Sequence, residues 1–180
     1  NLNVADTLYK IGVKKSDKLI VAISGGMDSM LLWELLRNAY YSTIGVHVNY
    51  NLRGVESQKD EDFVRAYAEK NGLSLEVFQA DPENYSSNLQ EEARLFRYQK
   101  FEDVKQTQKA DWILTAHHSD DNAETFFLNL VRGAGIQGLK GISEKRDSIL
   151  RPFLAFSKAQ LREEALALGL EWREDASNKT

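Results

Sequence analysis

Residues 18–39 read KLIVAISGGMDSMLLWELLRNA. The run LIVAIS (19–24) is short, continuous and apolar, with β-branched residues, and predicts a buried strand. From Asp28 to about Ala39, the residues Leu31, Leu32, Leu35, Leu36 and Ala39 form one helical stripe. Between strand and helix lies SGGMDS (24–29). Paired glycines let a ligand approach the backbone and permit positive φ. The helix that follows offers N–H groups and a positive dipole end, and Ser24 and Ser29 add hydroxyls. The turn suits a phosphate or pyrophosphate. The plain alternative is a tight connection with Asp28 or Ser29 as helix N-cap. The Lys of G-x-x-x-x-G-K-[ST] is absent, so this is not the common nucleotide loop. Asp28 beside phosphates calls for a divalent cation between them, which points to Mg²⁺.

The same alternation continues outward. TIGVHVN (43–49), LSLEVFQ (73–79), ADWILTA (110–116) and SILRPF (148–153) predict further strands. Helices are predicted from about Ser57 to Lys70, Ser87 to Thr107, Ser119 to Arg132 and Ser157 to Leu168, the last ending at Gly169. A glycine-rich loop, GAGIQGLKG (133–141), separates the last two. The pattern implies an α/β fold: a Rossmann-like open parallel five-stranded sheet with helices on both faces. Ligands then bind beyond the carboxyl ends of the strands. The loop 24–29, the run from His47 to Arg53, and His117-His118-Ser119-Asp120-Asp121 would share one rim.

Bulk properties narrow the class. The chain has 180 residues, enough for one domain with a core. No apolar run approaches the ~20 residues that span a bilayer, and no membrane role is expected. There is no cysteine, which excludes disulfides, thiolate metal sites and a cysteine nucleophile, and fits a cytoplasmic location. Net charge is −4, but the charge is uneven. Gly54 to Glu83 holds eight acidic and three basic side chains, and Arg132 to Arg162 holds seven basic and two acidic. Such runs are usually solvated faces; they would also orient a docking polyanion.

Spacing leaves several residues with two readings. Asp120, Asp121 and Glu124 can face one way on a helix, as a substrate or metal site or as a capping box with acids complementing the dipole. Arg94 and Arg97, at i and i+3, could present two forks to phosphate or simply face solvent. Arg132 before Gly133-Ala134-Gly135 could cap a helix or contact phosphate. His47, His117 and His118 could form a metal cluster, but adjacent histidines diverge, and polar lining of a nucleotide pocket is the better reading.

SGGMDS after a strand resembles the S-G-G-x-D-S signature of the PP-loop ATP-pyrophosphatases. HVNYNLRG (47–54), EEARLFRY (91–98), TAHHSDDNAETFFLNLVRGAGIQGLKGI (115–142), LRPFLAFSK (150–158) and REDASN (173–178) are similar, in order, to motifs of the tRNA(Ile)-lysidine synthase family. The resemblance covers nearly the whole chain. One departure is Tyr50, where the family commonly has a second histidine. Family members continue past the D-x-S-N motif, so residues 1–180 are expected to be the catalytic domain of a longer protein.

The resemblance implies that ATP activates C2 of the wobble cytidine in an isoleucine tRNA with a CAU anticodon. The ε-amine of free L-lysine then displaces AMP, giving lysidine. It implies ATP and Mg²⁺ as cofactors, with Ser24, Gly25, Gly26, Met27, Asp28, Ser29, Arg97 and His117 on ATP or pyrophosphate and Asp28 on Mg²⁺. Asp28, Glu124 and Arg94 would be catalytic. Arg53, Asp121, Arg132, Gly133, Gly135 and Lys140 would contact tRNA or substrate. A homodimer is among the assemblies it allows. The alternatives are another PP-loop enzyme, sulfur-inserting or amide-forming, or a non-catalytic nucleotide-binding module.

Overall fold

The computed structural model describes residues 2–52, 54–81, 89–121, 123 and 142–174. Among these the element order is α1 (Val4–Lys10), β1 (Lys18–Ala22), α2 (Met27–Asn38), β2 (Ser42–Asn49), α3 (Val55–Lys70), β3 (Ser74–Gln79), α4 (Leu89–Thr107), β4 (Trp112–Leu114), β5 (Lys145–Arg146), β6 (Ile149–Leu150) and α5 (Lys158–Ala167). The sheet runs β3-β2-β1-β4-β6-β5. Five of its strands are parallel, as the alternation predicts, and β5 pairs antiparallel with β6. The five-stranded expectation is therefore corrected to six. β5 is a two-residue edge strand of Lys and Arg, too short and too polar to leave a periodic signal. Helix α1 is a further addition; its two buried residues, Val4 and Leu8, occupy a single turn spacing.

Side chains alternate across β1. Leu19 and Val21 face one layer, which buries Val4 and Leu8 of α1, Leu31, Leu32 and Leu35 of α2, Val64 and Ala68 of α3, and Leu161 and Ala165 of α5. Ile20 faces the other, with Ile44, Val46, Ile113, and Phe101 and Val104 of α4. Both faces of the central strand are therefore covered, which is why it reads as an unbroken apolar run. Trp33 of α2 is fully buried and reaches over Gly45 of β2. A Cβ at Gly45 would lie 2.6 Å from the indole Cζ2, so only glycine admits this contact. The indole Nε1 donates to Thr43 Oγ1 at 3.2 Å. Helix α5 opens with the Ser157–Gln160 capping box. It closes as expected at Gly169, where the N–H groups of Gly169 and Leu170 return to Leu166 and Ala165.

Strand β1 is flanked by β2 on one side and β4 on the other. The chain leaves β1 for β2 and β3, then returns to the opposite edge for β4. The strand order thus reverses between β1 and β4, and a crevice opens at their carboxyl ends.

Candidate functional site

The crevice is built on residues 24–29. Gly25 adopts φ +93, a backbone region that disfavours side chains. Gly26, not Asp28 or Ser29, is the N-cap of α2, and no side chain caps the helix. The capping alternative is thereby corrected. The two serines brace the turn instead. Ser29 Oγ accepts from the Ser24 N–H at 3.1 Å and donates to the Gly26 carbonyl at 3.1 Å. Ser24 Oγ accepts from the Gly26 N–H at 3.2 Å. With no side-chain cap, the start of α2 presents its dipole end to a ligand, the arrangement that suits an anion.

Three cavities meet on this loop. The first, about 210 Å³, lies at the β1–β4 switch and is lined by the loop serines, Asp28, Val46, Val48, Tyr50, Arg97, Tyr98, Phe101 and the Thr115–His117 segment. Its apolar walls with a few polar groups suit a nucleobase and sugar. A second, about 350 Å³, lies on the other side of the loop between Asp28, Lys158, Arg162 and Arg173. A third, about 260 Å³, is bounded by Ser24, His47, Asn49, Tyr50, Ser57, Asp60 and Arg173.

Asp28 stands between the first two. Burial raises its pKa, an effect His118 and Lys158 partly offset. His118 Nε2 lies 3.4 Å from Asp28 Oδ2. The other oxygen, Oδ1, is buried without a hydrogen-bond partner. A carboxylate oxygen left in that state fits a cation ligand. Among the described residues no cluster of three His, Asp or Glu side chains could hold a metal by itself. One carboxylate plus phosphate oxygens is the donor set typical of Mg²⁺.

The histidines diverge as expected. His117 lines the first cavity, and its Nδ1 lies 2.8 Å from Thr115 Oγ1. Burial pushes its pKa down to about 4, with Arg151, Arg97 and Arg94 assisting, so the ring is neutral at pH 7. His118 is buried beneath, between Asp28 and Asp121. His47 lies within β2 rather than past it, and its Nδ1–H donates to the Ile23 carbonyl at 2.8 Å. Burial lowers its pKa.

The acids after β4 separate. Asp121 Oδ2 accepts from the His118 N–H at 2.8 Å, closing the first turn of the following helix. Asp120 accepts from the Lys158 N–H at 3.2 Å and ties that turn to α5. Asp121 is thus the third residue of that turn rather than its N-cap, so the Asp121-x-x-Glu124 capping box is corrected, while Asp120 is a brace between elements. Arg97 reaches the first cavity; Arg94 lies one turn back on α4, and both guanidinium groups pack near the Tyr98 ring at 5.7 and 5.6 Å. Glu124, Arg53, Arg132, Gly133, Gly135 and Lys140 lie outside the described residues.

Several contributors carry no clear signal in the sequence. Tyr98, the end of EEARLFRY, and Phe101 form the apolar wall of the first cavity, and spacing alone gives neither a site role. Glu61 is buried in α3 and accepts from Asn49 Nδ2 at 2.8 Å and from Arg65 Nε at 2.9 Å. Burial opposes its ionisation, yet the bonds from Asn49, Arg65 and Gln79 hold its pKa below the usual range. Asn49 Oδ1 in turn accepts from the Asn51 N–H at 2.9 Å, fixing the exit of β2 on either side of Tyr50. Arg173 opens the segment REDASN, but no spacing signals its contacts. Its Nε donates to Asp60 Oδ1 at 3.0 Å and its Nη2 to Glu56 Oε2 at 2.7 Å.

The chain resembles known proteins in sequence and in fold. A family model described as a PP-loop domain matches residues 2–180. The chain belongs to the PP-loop family. Among curated relatives, the tRNA(Ile)-lysidine synthases of Bacteroides thetaiotaomicron and Chlorobaculum tepidum are each 38% identical, over 90% and 93% of this chain. That of Bacillus subtilis is 37% identical over 98% of it. The matches take in 39%, 53% and 40% of those proteins, so this PP-loop chain spans about two fifths to half of their length. In fold it is similar to a U34-tRNA thiolase from Methanococcus maripaludis, with TM-score 0.80 and 20% identity over 99% of this chain and 65% of that one. It is also similar to an NH3-dependent NAD synthetase from Campylobacter jejuni, with TM-score 0.63 and 15% identity over 93% and 71%.

Proposed function

We propose that this chain is the nucleotide-activating part of a tRNA(Ile)-lysidine synthase. In this reading ATP and Mg²⁺ are the cofactors, and the substrates are an isoleucine tRNA with a CAU anticodon and free L-lysine. The observation that carries it is the uncapped, doubly braced loop 24–29 at the β1–β4 switch, with an apolar cavity on one side and cations on the other. The relatives' names supply the substrate class.

The adenosine lies in the first cavity, against Tyr98 and Phe101, with neutral His117 and Arg97 at its edge. The triphosphate crosses residues 24–29, where Ser24, Gly25, Gly26, Met27 and Ser29 present backbone and hydroxyl groups to the pyrophosphate. Asp28 is the residue that would hold Mg²⁺, which when bound neutralises phosphate charge. Arg94 and Arg97 counter the negative charge on the α-phosphate oxygens as the cytidine oxygen attacks the phosphorus and pyrophosphate leaves. Asp121 and Glu124 are assigned to the lysine, whose amine attacks C2 and expels AMP. Arg53, Arg132, Gly133, Gly135 and Lys140 are assigned to the tRNA. Nucleotidyl transfer of this kind rests on positioning and electrostatics more than on a proton relay.

One observation weighs against the sulfur-inserting alternative. The Methanococcus maripaludis thiolase carries a [4Fe-4S] cluster. Such clusters are held by cysteine thiolates, and this chain has no cysteine over the matched length. We assign the enzyme to the cytoplasm, where tRNA is matured; a homodimer is compatible with the reading.

The test is AMP release from ATP by the full-length protein, with and without the matching tRNA. Release stimulated by that tRNA supports the reading, and release that ignores it rejects it. Asp28→Asn removes the charge with little change in shape and abolishes the stimulated rate; a near-normal rate rejects the metal role.

A further inference from the structure

Tyr50 stands where three hollows meet: the polar cavity beside Asp60, the adenosine cavity, and a shallow apolar groove of about 340 Å³ on the outer side. The groove is lined by Tyr50, Leu52, Leu89, Gln90, Ala93, Arg94 and Arg97. Leu52 and Leu89 are exposed, at 46% and 37%, so the groove floor is open apolar surface. Tyr50 is held in place: its hydroxyl donates to the Ala93 carbonyl at 3.1 Å, and the Glu61–Asn49–Asn51 bonds fix the backbone around it. The ring is thus a rigid partition shared by the groove and the adenosine cavity. Arg97 is the other shared wall, and Arg94 stands beside it.

We propose that this groove holds an unpaired nucleotide of an RNA loop, with its base against Tyr50, Leu52 and Leu89 and its phosphates against Arg94 and Arg97. The inference rests on the lysidine synthase reading, which makes RNA the partner, and deepens it by naming where the loop lies. Two features select this occupant. Aromatic and aliphatic surface flanked by arginines is the chemistry that binds single-stranded nucleic acid, through stacking and phosphate pairing. The groove also shares Tyr50 and Arg97 with the adenosine cavity, so a nucleotide seated there adjoins the reacting nucleotide. Among the described residues no acid lines the groove to repel a polyanion, and the two arginines disfavour a purely apolar partner helix.

The experiment uses the full-length protein and an RNA hairpin carrying pyrrolocytosine at an unpaired loop position. Stacking quenches this probe. Leu89 touches the groove and neither of the other hollows, so Leu89→Glu should weaken hairpin binding by about tenfold and leave ATP affinity within about twofold. Tyr50→Phe keeps the quench and Tyr50→Ala loses it. Hairpin affinity and quench unchanged in both Leu89→Glu and Tyr50→Ala would overturn the proposal, as would equal binding of a fully paired duplex. The parent reading fails separately, by absence of tRNA-stimulated AMP release in the unsubstituted protein.

Discussion

The backbone N–H of Arg173 donates to the carbonyl of Gly25 at 2.9 Å. A residue far along the chain thus holds the peptide that turns the loop 24–29. The Arg173 side chain continues the strap to Asp60 and Glu56 of α3, and Asp60 is the better covered of the two acids. Burial of Asp60 makes that arm of the bridge the stronger one. Arg173→Ala is therefore expected to raise the KM for ATP by about fivefold with a smaller effect on kcat. Asp60→Asn should do the same, and the double variant should be no worse than either, whereas Glu56→Gln should change little. Additive losses in steady-state kinetics would show that the strap does not act as a unit.

Gly25 itself carries the positive φ that the strap secures. Gly25→Ala forces a side chain into that region and sets its Cβ 3.4 Å from Val64 Cγ2. A loss of about 1–2 kcal/mol in urea unfolding is expected, with weaker ATP binding. A variant as stable as the parent would contradict the geometry of the loop.

Gly45→Ala tests the core beneath the site. Its Cβ would collide with Trp33, which is fully buried. Overpacking of this kind costs about 1–3 kcal/mol, seen as a lower unfolding midpoint and a changed tryptophan emission. ATP affinity of the folded fraction should be unaffected, because Gly45 lines none of the three cavities.

His117 supplies a pH dependence with a definite sign. Its pKa falls from 6.5 to about 4 on folding, chiefly through burial. The unfolded chain therefore takes up a proton that the folded protein refuses. Stability from this group is fully present above pH 6.5 and is lost as pH falls through about 4. Urea midpoints measured across that window should fall less steeply for His117→Gln than for the parent. Identical slopes would show that His117 is not buried neutral.

Much of this is legible along the chain because the relevant signals are local. LIVAI announces β1 through β-branched residues buried on both faces, and the stripe from Leu31 to Ala39 announces α2. The six residues between them read as a phosphate seat or a tight turn, and the positive φ that paired glycines permit is found at Gly25. What is not legible is tertiary. Arg173 and Gly25 are far apart in sequence, and no periodicity marks a backbone bond between them. Ser29, a capping candidate by sequence, instead braces Ser24, and Gly26 is the cap. Asp121 bonds back to the His118 N–H within its own turn rather than forward as a cap, while Asp120 beside it answers to α5, an element it meets only after folding.

Lysidine formation is tested most directly on the RNA. The full-length protein is incubated with ATP, Mg²⁺, L-lysine and the isoleucine tRNA bearing a CAU anticodon, and the nucleosides are analysed by mass spectrometry. The wobble cytidine is predicted to gain the mass of a lysine joined with loss of water, and omitting lysine or ATP should abolish the gain. An unmodified cytidine under conditions where the protein binds both ATP and the tRNA would contradict it.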